Sequence, residues 1–252
     1  MELGLRGRTA LVTGAAGGIG AAAARALAAE GVRIALLDRG AAALGALAAS
    51  LPGGFDAASV HPADVTDEGQ VAAAVAAAVE RWGGLDILIG CAGISGPVGT
   101  PLLETTAAQW DAVFDVNVRG SFLVLRAALP ALREGRDASV VFVASDSALV
   151  AAPGMAPYCA SKAAVLQFAR AASVELAAEG IRVNAVCPSI VDTPMSRGDL
   201  GIDGFADVAY PVQTADEVAA QLVFLASPVS RPVNGTSLVT DFGYTARSNF
   251  PA

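Results

Sequence analysis

The residues of this chain best suited to chemistry are Tyr158 and Lys162, four apart in the stretch Tyr-Cys-Ala-Ser-Lys. Lys162 is the only lysine among the 16 basic residues; the others are arginines. An arginine could replace it as a charge, but not as a compact ammonium with three donors on a flexible stem. On a helix, positions four apart share a face and lie roughly 6 Å apart. An ammonium beside a phenol favours the phenolate and lowers the tyrosine pKa from about 10. Such a pair is a general acid/base in the making. Tyr and Lys also fall four apart on helices by chance, so the rest of the chain must supply a reaction partner and a scaffold.

A redox partner is suggested near the start. Thr9–Thr13 is a short apolar run that reads as a buried strand. TGAAGGIG follows at residues 13–20, then an alanine-rich helix to Glu30. Strand, glycine-rich turn and helix form the context of a dinucleotide site. Gly14 permits the tight turn; Gly18 and Gly20 allow close approach of a pyrophosphate and of the strand to the helix N-terminus. A second strand, 32–37, ends in Asp38. A carboxylate there accepts hydrogen bonds from ribose hydroxyls and repels a 2′-phosphate, which favours NAD over NADP. Asp38 as a helix cap is the plainer alternative.

The remaining elements alternate. Strands are expected at 59–63, 86–90, 139–144, 181–187 and 236–240, and helices at 41–50, 67–81, 104–132 and 214–227, with a further helix after the Pro153–Gly154 loop that carries Tyr158 and Lys162 and ends near 178. Thr214 with Glu217 forms a capping box. Residues 195–213 read as an irregular segment suited to covering a substrate. The alternation predicts an α/β, Rossmann-type, doubly wound parallel sheet of about seven strands, flanked by helices in a single domain spanning 1–252. Polar residues recur at strand ends, where such sheets bind ligands: Asp64, Ser145 and Asp146. Asn117 falls inside an apolar helical stretch, where asparagine disfavours the helix and wants partners if buried.

Composition narrows the function classes. The chain has 252 residues, 54% hydrophobic and 16% charged, enough for one large packed core. A net charge of −8 argues against nucleic acid or an anionic membrane as partner. No apolar run is long enough to span a bilayer. Residues 1–8 lack the apolar core of a signal peptide, so a cytoplasmic location is expected. The three cysteines, Cys91, Cys159 and Cys187, form no CxxC and imply no disulfide framework. The single histidine, His61, has no ligand-spaced neighbours, and no metal is expected.

Taken together, TGAAGGIG, Asp64–Val65, Cys91–Ala92–Gly93, Asn117, Ser145, Tyr158-x-x-x-Lys162, RVNAVCPS (182–189) and Val191–Asp–Thr193 resemble the short-chain dehydrogenase/reductase family over essentially the whole chain. The resemblance implies that Tyr158 is the acid/base at a substrate oxygen and that Lys162 lowers its pKa and holds the nicotinamide ribose. It implies that Ser145 hydrogen-bonds the substrate oxygen and that Asn117 holds a water linking Lys162 to solvent. NAD would be held by Gly14, Gly17, Gly18, Ile19, Gly20, Asp38, Asp64, Val65, Ala92, Gly93, Tyr158, Lys162, Val191 and Thr193. A homotetramer is implied as well. The chain departs from the family's usual residues at Cys91 (usually Asn), Ser189 (usually Gly) and Phe242 (usually Gly). The expected activity is NAD-dependent interconversion of a secondary alcohol and a ketone. Reduction of a 3-oxoacyl thioester with NADPH is the runner-up, and a non-catalytic NAD(H) sensor is the alternative from another class.

Overall fold

The central strands are short apolar runs, joined by helices that each turn an apolar face to the sheet. The computed structural model describes residues 2–247. Its first strands and helices are β1 (Thr9–Thr13), α1 (Gly18–Ala29), β2 (Arg33–Asp38), α2 (Ala41–Ser50), β3 (Ala58–Pro62), α3 (Glu68–Trp82) and β4 (Ile87–Gly90). The chain continues through α4 (Ala107–Phe114), α5 (Gly120–Arg133), β5 (Ser139–Val143), α6 (Ala156–Glu175) and β6 (Arg182–Pro188). It closes with β7 (Val191–Asp192), α7 (Pro194–Leu200), β8 (Gln213–Thr214), α8 (Ala215–Ala226) and β9 (Ser237–Thr240). The main sheet has seven parallel strands in the order β3-β2-β1-β4-β5-β6-β9. A parallel strand can be reached only by a crossover, which here is helical. The register sets Val12 opposite Leu36 on one side and Ile89 on the other.

Side chains alternate across this sheet with a period of two. Val12, Ile34, Leu36, Ile87 and Ile89 face one core, packed with Leu27 of α1, Leu44 of α2 and Leu222 of α8. Leu11, Ala35, Leu37 and Leu88 face the other, packed with Val71 of α3, Leu123 of α5 and Val165 of α6. Both faces are covered, so the central strands read as unbroken apolar runs. The strand order reverses between β1 and β4, which opens a crevice at their C-terminal ends.

Three local readings need correction. The helix expected at 104–132 starts instead at Ala107, behind a capping box of Thr106 and Gln109. A π-helical turn, Asp115–Arg119, then joins α4 to α5 and contains Asn117. A π-turn is a frequent mark of a functional position. Residues 195–213 are not wholly irregular, because Thr193 and Ser196 cap the short helix α7. The segment is tied at both ends, since β7 pairs in parallel with β8.

Thr214 accepts from Glu217 N (3.2 Å) while Glu217 accepts from Thr214 N (2.7 Å), completing the expected box. Thr214→Ala removes it and is expected to cost about 1 kcal/mol, or about 2–4 °C in Tm. A thermal scan of the two proteins checks this. Among the described residues, no helix is long and apolar enough to cross a membrane.

Candidate active site

The glycine turn between β1 and α1 is shaped by contacts no larger residue could make. Gly14 has φ +64°, in the left-handed region, and a Cβ there would lie 2.7 Å from Ala92 N. A Cβ on Gly20 would lie 2.2 Å from Gly14 O. Gly18 has a different role from the one expected. A Cβ there would meet Thr193 Cγ2 at 2.7 Å, so Gly18 admits the β7–α7 connection rather than only a ligand. The Gly17 cap of α1 has no side chain to offer, and no acidic residue stands in its first turn. The leading N–H groups of α1 are therefore left for an anion.

This turn forms one wall of a cleft of about 370 Å³ at the crevice between β1 and β4. Gly14, Gly17, Gly18, Ile19, Gly20, Asp38, Asp64, Val65, Ala92, Gly93 and Thr193 all line it. Val191 does not, because its side chain is buried in β7. Arg39, Ile94, Val116, Pro194 and Met195 also contribute, and the sequence reading missed them in this role. Only Arg39 had a local signal, its adjacency to Asp38. Asp38 itself braces the turn, its carboxylate accepting from Ala16 N (3.1 Å) and Arg39 N (2.7 Å). It does not cap α2, whose cap position is Gly40. Asp64 accepts from Thr66 N and Oγ1, which hold its carboxyl below the usual range.

Beyond the cleft's inner end the sheet brings the acid/base residues together. Lys162 and Tyr158 share a face of α6, with Lys162 Nζ 5.6 Å from the Tyr158 ring centre. Lys162 is buried, and its ammonium donates to Val143 O at the end of β5 (2.9 Å). A Cβ on Gly93 would come within 3.5 Å of Nζ, so Lys162 abuts the cleft wall. Asn117 is buried in the π-turn. Its Oδ1 accepts from Ile94 N (2.8 Å), and its Nδ2 donates to Ile94 O (3.0 Å) and Ser161 Oγ (2.9 Å). Asn117 therefore ties the loop after β4 to α6.

Ser145, at the end of β5, caps a single turn at Asp146–Ala148. Its Oγ accepts from Ser147 N (3.1 Å) and donates to Asp146 Oδ1 (3.0 Å). Burial pushes the Asp146 carboxyl above the usual range, opposed by hydrogen bonds from Ser145, Ser147 and Ser189.

The electrostatics reverse one expectation. Lys162 does not bring the Tyr158 phenol down. Burial pushes Tyr158 up to about 12, with Ser145 opposing and the charges of Asp146 and Asp199 adding to the rise. Burial also brings Lys162 down to about 8. Desolvation penalises both charged forms, and it is the largest cause of each shift.

The model of the family described as enoyl-(acyl carrier protein) reductase matches residues 14–245. The chain is 41% identical to 2-(R)-hydroxypropyl-CoM dehydrogenase of Xanthobacter autotrophicus, covering 95% of this chain and 99% of the relative. It is 38% identical to D-threitol dehydrogenase of Mycolicibacterium smegmatis, covering 96% and 95%. The chain belongs to the short-chain dehydrogenase/reductase family. Its fold superposes with a TM-score of 0.87 on the crystal structure of a 3-ketoacyl-(acyl-carrier-protein) reductase from Brucella melitensis complexed with NADH. That protein is 31% identical, with 96% of this chain and 99% of the other covered.

The departures from the family's usual residues have visible consequences in this short-chain dehydrogenase/reductase. Cys91 lines the cleft beside Lys162, and burial pushes its thiol up to about 12, which leaves it protonated and inert as a nucleophile. Ser189 turns its hydroxyl to Asp146. Phe242 adopts φ +53°, the left-handed conformation that suits the family's glycine. His61 shares a hydrogen bond with Ser59 Oγ (2.7 Å), which also accepts from Trp82 Nε1 (2.9 Å), so the histidine serves the packing of β3 against α3.

Proposed function

We propose that the protein interconverts a secondary alcohol and a ketone with NAD as cofactor. The observation that carries this reading is the gathering of Tyr158, Lys162 and Ser145 beside a glycine-walled cleft at the sheet's switch point. The alcohol dehydrogenases among its relatives support the reaction class. A neighbour holding NADH supports a nicotinamide cofactor.

The residues present fit that cofactor. The uncapped N-terminus of α1 suits the pyrophosphate, and Asp38 suits the adenosine ribose. Asp64 and Val65 would flank the adenine, while Ala92, Gly93 and Thr193 would hold the nicotinamide half. A bound nicotinamide would supply the hydride chemistry, taking hydride from the carbinol carbon in oxidation and returning it to the carbonyl carbon in reduction. Tyr158 takes the alcohol proton in oxidation and returns it in reduction. Lys162 holds the nicotinamide ribose. Ser145 hydrogen-bonds the substrate oxygen as its charge develops, a donor typically worth about 10²–10³ in rate. Asn117 holds the loop against α6 and would hold a water linking Lys162 to solvent. Residues 195–213 cover the substrate. The exposed Trp110, Phe122 and Val174 on α4, α5 and α6 support a homotetramer, in which they would be covered. A cytoplasmic location completes the reading.

The test is an assay of 2-butanol, cyclohexanol and propane-1,2-diol with NAD and with NADP, followed at the absorbance of the reduced cofactor. At least one alcohol is expected to be oxidised, with kcat/KM for NAD about tenfold or more above NADP. Faster turnover with NADP would overturn the role given to Asp38. The ketoacyl reductase neighbour favours a second reading, 3-oxoacyl thioester reduction. Turnover of acetoacetyl-CoA with NADPH, and none of the three alcohols, would select it.

A further inference from the structure

The Ser145 hydroxyl has one proton and two lone pairs. The proton goes to Asp146 Oδ1 (3.0 Å), and one lone pair accepts from Ser147 N (3.1 Å). What Ser145 has left to offer is a lone pair, which the Tyr158 hydroxyl also faces. Yet a developing alkoxide, or a ketone carbonyl, needs a donor. We propose that Asp146 is a positioning residue that controls whether Ser145 can donate to the substrate oxygen. As a carboxylate it holds the Ser145 proton. As a carboxylic acid it donates its own proton to the lone pair of Ser145 Oγ and frees the serine proton for the substrate. This inference rests on the assignment of Ser145 to the substrate oxygen.

The arrangement is built into the fold. Ser145 is buried, and its extended backbone (φ −170°, ψ 158°) starts the single turn that carries Asp146, so the two side chains are held together by the chain itself. The turn packs against α6 and β6. The groups whose ionisation bears on Asp146 are Tyr158 from α6, Cys187 from β6 and Asp241 from the end of β9. Ser189 contributes a hydroxyl from the segment after β6. None of these is a cation, and among the described residues Asp146 forms no salt bridge. Burial raises the carboxyl's pKa above the usual range, which brings its proton closer to working pH.

The consequence is a dependence of ketone reduction on pH that comes from Ser145 rather than from the phenol. A hydrogen bond to a charged group is worth about 1.5–3 kcal/mol, so pulling the serine proton away from the carboxylate costs roughly 10–100-fold in rate. Reduction in the wild type should gain at least tenfold as the pH falls through the Asp146 pKa. An amide at position 146 keeps a donor at every pH, and with its nitrogen turned to Ser145 Oγ it frees the serine proton. Asp146→Asn is therefore expected to reduce ketones at neutral pH about tenfold faster than the wild type and to lack the low-pH gain.

The experiment measures kcat/KM against pH with NADH and 2-butanone, cyclohexanone or hydroxyacetone, the fastest of the three being carried through the series. The proteins are the wild type, Asp146→Asn, Asp146→Ala, Ser145→Ala and the double variant Ser145→Ala/Asp146→Asn. The expected result is that the effect of Asp146→Asn vanishes in the Ser145→Ala background. A low-pH gain that persists in Asp146→Asn would overturn the proposal, as would an equal effect of that substitution with and without Ser145, which would point to the charge acting on Tyr158 directly. Asp146→Ala keeps the test open if the amide perturbs folding, since it also frees the serine proton. If Ser145→Ala alone keeps wild-type activity, it is the role of Ser145 that fails, an outcome distinct from an inert Asp146 beside an essential serine.

Discussion

Tyr158→Phe is expected to lower kcat for alcohol oxidation by about 10³-fold while leaving NADH binding within about twofold of the wild type. The substitution deletes one hydroxyl from a half-buried side chain and leaves the ring to pack as before. General acid/base groups are typically worth about 10²–10⁴ in rate. Steady-state kcat and a fluorescence titration with NADH separate the two effects, and a kcat within tenfold of the wild type would remove Tyr158 from the chemistry. The pH profile follows from the same group. Oxidation needs the phenolate, and burial pushes the phenol up to about 12 before any cofactor binds. The reactive fraction therefore climbs about tenfold per pH unit below the working pKa. For the phenol to work at neutral pH, what enters the cleft has to bring it down from about 12.

Lys162→Met is expected to stabilise the cofactor-free protein at pH 7 by about 1–2 kcal/mol while lowering turnover at least about 100-fold. Burial brings the Lys162 ammonium down to about 8, against about 10.4 in an unfolded chain. Between these values the unfolded state binds more protons, so this group makes stability rise with pH across that window. Below about 8 both states carry the proton, and the folded protein bears the whole penalty, about 3 kcal/mol. Methionine removes that penalty but leaves Val143 O without its donor, a loss of about 1 kcal/mol. The difference predicts a Tm about 3–6 °C higher at pH 7, narrowing as the pH rises from about 8 toward 10. Melting curves of the two proteins at pH 7 and pH 10 test this. A lower Tm for the variant at pH 7, or a gap that does not narrow, would contradict a desolvated ammonium kept at the expense of stability.

These two residues also show how far local pattern reaches. The i, i+4 spacing placed Tyr158 and Lys162 on one helix face, and the period-two and glycine-turn signals located the strands and the cleft wall, because each depends only on chain neighbours. The seven-strand parallel sheet followed from the alternation of such runs. The breaks came where a partner distant in sequence decides. Asn117 sits in a π-turn because its side chain must reach Ile94 and Ser161 at once. Gly18 is needed because Thr193 packs against it, 175 positions further along the chain.

The sequence by itself determined the main strands and helices, the parallel character of the sheet and the set of residues able to do acid/base chemistry, since those are properties of residue type and short-range spacing. Only the tertiary structure decided their electrical state. The Tyr158 phenol is raised by burial and by carboxylates arriving from the turn after β5 and from α7, and the Ser145 proton is held by Asp146. Desolvation and charge act through space, and no spacing along the chain records which side chains the fold will bring within their range.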